Sequence, residues 1–150
     1  MITRILVADD SIDWSKAFCD FVNQRDYQAT SVATGKELFN SVLNAPNDYD
    51  ILIVDNSMPE VAGEEEIAYC GVRMLGLLVT HFSSQPVFPA VLSHVIIRSI
   101  YSRQDMNSLR KEGDEQTELG CSKAALWLDR NVPLDELMRA ILRLSTVSLS

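Results

Sequence analysis

Two short aliphatic runs, each ending on aspartate, constrain this chain more than any other feature. Ile51-Leu52-Ile53-Val54 has no polar break and is followed at once by Asp55. Four consecutive aliphatic residues read as a strand buried on both faces, which calls for a parallel sheet covered by helices on each side. Ile5-Leu6-Val7-Ala8 repeats the pattern and ends on Asp9-Asp10.

Helix-period segments alternate with these runs. Ser11 is expected to cap a helix reaching residue 25, with Trp14, Phe18, Phe21 and Val22 on one face. A weaker strand over 28–32 leads into a helix over 35–44, stopped near Pro46. A loop from Asn56 to Gly63 holds Met58-Pro59. A helix is expected over 64–82, where three opening glutamates suit the positive end of a helix dipole. Residues 83–93, with Pro86 and Pro89, read as an irregular insertion. Val95-Ile96-Ile97 opens a fourth strand, carried to about residue 100. A short helix over 105–112, a polar loop over 113–118 and a fifth strand over 124–128 follow. Pro133 starts the last helix, whose stripe is Leu134, Leu137, Met138, Ile141 and Leu142.

The sum is a (βα)5 chain of the α/β class. With right-handed crossovers it folds most simply as an open doubly wound parallel sheet of strand order 2-1-3-4-5. At 150 residues and 47% hydrophobic content, one domain over 1–150 is expected, with insertions near 83–94 and 113–120. Thirteen Lys and Arg against 21 Asp and Glu give a net charge of −8. With no basic run present, that charge argues against binding duplex nucleic acid or an anionic membrane. Cys19, Cys70 and Cys121 lack metal-site or disulfide spacing. No apolar stretch is long enough for a signal peptide or a bilayer span, so a soluble, cytoplasmic protein is expected.

In the 2-1-3-4-5 order the topological switch lies between strands 1 and 3, and ligands bind beyond their carboxyl ends. Asp9, Asp10 and Asp55 converge there. Crowded carboxylates need a cation or a retained proton. Mg2+ is the natural cation: it prefers oxygen and takes one or two carboxylates while keeping several waters. A metal there would screen an incoming phosphoryl group while an aspartate oxygen attacks phosphorus in line.

The run Ile5 to Ser11, and Asp55-Asn56-Ser57-Met58-Pro59 with Gly63, resemble the response-regulator receiver (CheY-like) domain, sharply over the first 63 residues and loosely beyond. The flavodoxin-like receiver fold is thereby implied. The resemblance implies Asp55 as phosphoacceptor and Asp10 as a direct Mg2+ ligand. It implies Asp9 as a largely water-mediated ligand, with the Ser57 backbone carbonyl completing the set. It places a hydroxyl at the end of strand 4, which falls on Ser99, with Ser102 as a weaker alternative. It places a lysine after strand 5, where this chain has Arg130, and Lys123 is a poor substitute. A planar guanidinium is not interchangeable with an ammonium. Trp127 falls where the family has a switching aromatic, although packing alone would also explain it. Arg98 is unusual in a buried central strand, and Ile100 stands where the family prefers a small residue.

The resemblance implies a signalling switch rather than an enzyme, phosphorylated by a sensor histidine kinase or phosphotransfer protein. No basic module follows the fifth helix, so output through a downstream protein partner is expected. A pseudo-receiver that binds protein without phosphorylation is the alternative. A metal-dependent phosphatase would want a second acid two residues after the nucleophile, where Ser57 stands. The 64–82 segment, with Val72, Leu75, Leu78, Val79 and Phe82, carries more apolar surface than one sheet-facing stripe needs. Core extension is one explanation, and a partner or homodimer surface formed with residues 86–92 is the other.

Overall fold

The computed structural model describes residues 2–106 and 114–148, with side chains of the last helix through residue 145. In chain order the strands are β1 (Thr3–Ala8), β2 (Tyr27–Val32), β3 (Ile51–Asp55), β4 (Met58–Pro59), β5 (Glu66–Ile67), β6 (Val95–Ser99) and β7 (Leu126–Asp129). The described α-helices are α1 (Ile12–Asn23), α2 (Gly35–Asn44), α3 (Cys70–Ser83), α4 (Glu115–Lys123) and α5 (Leu134–Ser148). Five strands pair in parallel in the order β2-β1-β3-β6-β7. That is the expected 2-1-3-4-5 sheet, with β4 and β5 set apart as a two-stranded antiparallel ladder.

Alternation along the strands builds a core on each face of the sheet. Leu6, Ala8, Leu52, Val54, Val95 and Ile97 meet α2 and α3 on one side. Ile5, Val7, Ile51, Ile53 and Ile96 meet α1 and α5 on the other. Every residue of β3 is buried, as its unbroken aliphatic run requires. Thr34 caps α2 reciprocally with Glu37: its Oγ1 accepts the Glu37 N–H at 3.1 Å and donates to Glu37 Oε1 at 3.0 Å.

Four local expectations are corrected. Ser11 stands at the N-cap of α1, but its side chain makes no cap; its own N–H goes instead to Asp9 Oδ1 at 2.8 Å. The helix expected over 64–82 begins only at Cys70. Gly63, at φ +86°, turns the chain, and Glu66 and Ile67 pair back onto Pro59 and Met58. The stretch expected as a loop over 113–118 is helical from Glu115, capped by Asp114, which accepts Thr117 N–H at 3.2 Å. On α5, Leu137 and Ile141 are buried with Ala140 and Leu144, whereas Leu134 and Leu142 are exposed. Beyond Met106, the helix expected over 105–112 lies outside the described residues.

Helix α4 also accounts for the apolar surplus of α3. The two helices approach so closely that a methyl group at Gly76 would land on the Gln116 carbonyl, and one at Gly120 on that of Val72. With the sheet beneath and α4 against it, α3 buries Val72, Leu75, Leu78, Val79 and Phe82 within the chain. This is core extension. Of the partner surface, Val87 and Phe88 remain exposed.

Candidate functional site

Parallel pairing sets Ala8 beside Val54, so the residues that follow, Asp9 and Asp55, leave the sheet side by side. Asp9, Asp10 and Asp55 each offer a carboxylate oxygen, and the three lie within 4.8 Å of one another. Asp55 is 1% exposed and Asp9 3%. One Asp55 oxygen, Oδ1, accepts the Ser57 N–H at 3.1 Å. The other, Oδ2, has no hydrogen-bond donor and lies 3.5 Å from Arg130 Nη2. Asp10 Oδ1 is likewise buried without a donor. Burial, then the charge of Asp9, push the Asp55 carboxyl up to about 7, against the pull of Arg130 and the Ser57 N–H.

Arg98 stands in register with Asp55 on the neighbouring strand. It is 5% exposed, and its Nη1 donates to Asp9 Oδ2 at 2.9 Å. Its Nη2 donates to the Arg130 carbonyl at 2.8 Å, and its guanidinium lies 3.6 Å from the Trp14 ring centroid. The Nε is left without a partner. Burial lowers the Arg98 pKa and raises that of Asp9, but a guanidinium does not deprotonate in a folded protein, so Arg98 keeps its charge beside Asp9. The oddity of an arginine in a central strand is thus answered by a partner 89 residues away.

A fourth carboxyl, not anticipated from sequence, belongs to Glu66. The β4–β5 ladder brings it to Asp10, and a hydrogen bond between the two side chains, then burial, raises its pKa. Its position three residues after Gly63 was the available signal, but the run of glutamates reads first as a helix start. Four carboxyls, of Asp9, Asp10, Asp55 and Glu66, thus face two guanidiniums, of Arg98 and Arg130. With all four carboxyls ionised, the cluster is two positive charges short of neutral. That deficit, the two donorless carboxylate oxygens and the all-oxygen donor set fit a hard divalent cation.

The remaining expected residues are placed as follows. Ser99 is buried at the end of β6; its Oγ accepts from Tyr101 N–H at 3.0 Å and from Asn56 Nδ2 at 3.4 Å. Both bonds arrive at the oxygen, so the hydroxyl proton is free to be donated. Ser102 exchanges bonds with Asp105 in an exposed turn, and Lys123 ends α4. Trp127 is half-buried in β7, its Nε1 donating to the Tyr101 carbonyl at 2.9 Å. Ile100 projects outward, 54% exposed. Asn56, with no expected role, is fully buried: its Oδ1 accepts the Val72 N–H at 3.2 Å, and its Nδ2 reaches Ser99 and Met106.

No family model matches the sequence. A curated relative, the two-component response regulator ARR11 of Arabidopsis thaliana, is 27% identical over 71 residues, 47% of this chain. The match spans only 14% of that protein's length. Among solved structures, the Francisella response regulator 1452 receiver domain is 21% identical at TM-score 0.64, covering 97% of this chain and 98% of that one. A receiver domain from Clostridium thermocellum is 18% identical at TM-score 0.68, covering 98% and 97%. TrrA from Thermotoga maritima, in complex with Mg2+-BeF, is 19% identical at TM-score 0.65, covering 95% and 99%. The fold is that of response-regulator receiver domains.

Proposed function

Given a receiver fold with an acidic pocket at its carboxyl edge, we propose that this chain accepts a phosphoryl group on Asp55 and signals through protein contacts. The observation that carries the reading is the donorless Oδ2 of Asp55, buried among Asp9 and Asp10 with Arg130 at 3.5 Å. Asp55 attacks phosphorus, an acyl phosphate forms, and the bond to the donor breaks as the donor leaves. Asp9, Asp10, Asp55 and the Ser57 carbonyl would hold Mg2+, which screens the charge of the phosphoryl group. Arg130 neutralises the phosphoryl oxygens in place of a lysine, and Ser99 donates its free hydroxyl proton to one of them. Trp127 then moves as the β6 end is drawn toward the group. The donor is a sensor histidine kinase or phosphotransfer protein in a cytoplasmic pathway, and the output is a downstream protein. Ile12 and Ile100, 73% and 54% exposed just past the ends of β1 and β6, offer apolar contact beside the site.

The pseudo-receiver is the second reading, favoured by Arg98 already neutralising Asp9 and by the near-complete burial of Asp55. Mass spectrometry after incubation with acetyl phosphate and Mg2+ separates the two. The expected result is one magnesium-dependent phosphoryl group on the wild type and none on Asp55→Asn. An unmodified, folded wild type that also fails to bind beryllofluoride would establish the second reading.

A further inference from the structure

We propose that Arg98 is a resident cation of the carboxylate cluster, which a divalent ion must displace from Asp9 in order to bind. The inference deepens the proposed function and rests on its Mg2+ site. Three observations lead to it. Both oxygens of Asp9 are engaged: Oδ1 by the Ser11 N–H at 2.8 Å and Oδ2 by Arg98 Nη1 at 2.9 Å. Each Asp9 oxygen keeps a second lone pair, but the guanidinium's charge beside Oδ2 repels a dication from Asp9 until it moves. Secondly, the ion pair is dry, with side-chain exposures of 6% and 3%, so solvent does not weaken it. Thirdly, Arg98 has somewhere to stay. The Trp14 ring and the Arg130 carbonyl hold the guanidinium independently of Asp9.

The exchange is electrostatically reasonable. A dication between Asp9, Asp10 and Asp55 stabilises Asp9 more than a single guanidinium does, but it must first offset the loss of a charge-assisted hydrogen bond. Arg98 also grips the carbonyl of Arg130, whose guanidinium faces Asp55. A shift of Arg98 therefore reaches the phosphoacceptor through one residue. Cation binding at Asp9 and the position of Arg130 beside Asp55 are thereby linked. Arg98 is in this sense a positioning residue for the site.

The test is a Mg2+ titration by calorimetry on wild type, Arg98→Val and Arg98→Lys, each checked for folding by circular dichroism. Arg98→Val frees Asp9, and Mg2+ affinity is expected to rise at least tenfold. Arg98→Lys keeps a charge but not the fork that spans Asp9 and the Arg130 carbonyl, and its affinity should fall between the two. It serves alone if the valine variant does not fold. In parallel, Mg2+ should change Trp14 emission in a Trp127→Phe background only when Arg98 is present to move across the ring. Equal affinity in wild type and folded variants overturns the displacement while leaving the metal site intact. Absence of Mg2+ binding in every chain overturns the metal site, and the displacement with it.

Discussion

Asp55 illustrates how a single buried acid is held ready. Its folded pKa of about 7, against an ordinary 3.8 for a free aspartate, arises from burial first and Asp9 second. A raised carboxyl stabilises the fold fully below its unfolded pKa, and that contribution is lost as pH rises through the folded one. In chelator, therefore, wild type should lose stability between pH 5 and pH 8. Asp55→Asn, which carries no charge at either pH, should flatten the profile by ~2–4 kcal/mol. Paired thermal melts check this, and an identical slope in the two proteins would show that Asp55 is ionised throughout. Asp9 and Glu66, also raised, contribute a residual slope of the same sign.

At the scale of elements, the α3–α4 contact is the most demanding. In an exposed helix Gly→Ala gains ~1 kcal/mol. Here the added methyl meets a backbone carbonyl, so Gly76→Ala and Gly120→Ala should each destabilise by ~2–3 kcal/mol in urea melts. Asp114→Ala removes the cap of α4 and should cost ~1 kcal/mol by the same measurement. Asp114 is kept ionised, despite some burial, by its bonds to Thr117 and the charge of Arg73. These elements also mark where sequence was readable. The strands declare themselves because burial on both faces leaves only aliphatic residues. Helix α4 does not: Glu115-Gln116-Thr117-Glu118-Leu119-Gly120 lacks an apolar stripe because it packs through glycine and backbone. The start of α3 was misplaced because glutamates at a helix N-terminus and glutamates beside a carboxylate cluster look alike along the chain. The Asp9, Asp10 and Asp55 cluster was legible because topology alone brings strand ends together. The Arg98 partner was not, since a side chain's reach across the sheet leaves no local pattern.

For the whole molecule, the proposed Mg2+ site predicts a change in stability with the ion. A ligand that binds only the folded state stabilises it by ~2.7 kcal/mol at a hundredfold excess over its Kd. Wild type should therefore melt higher in Mg2+ than in chelator, with the difference growing with each decade of concentration. Asp55→Asn should show a smaller gain, having lost one charged ligand. Among the described residues no helix is long and apolar enough to cross a membrane.

Asn56 gives the molecule a mechanical property. Its backbone carbonyl takes the Gly71 N–H at 3.0 Å and its side chain takes that of Val72, so the residue beside Asp55 is bolted to the first turn of α3. With glycines at their crossing, α3 and α4 meet backbone to backbone at those two points. Asn56 and the glycine contacts thus join the end of β3, α3 and α4 in one continuous set of backbone contacts. A displacement of Asp55 would then have a direct backbone route to α3 and, through the glycine contacts, to α4.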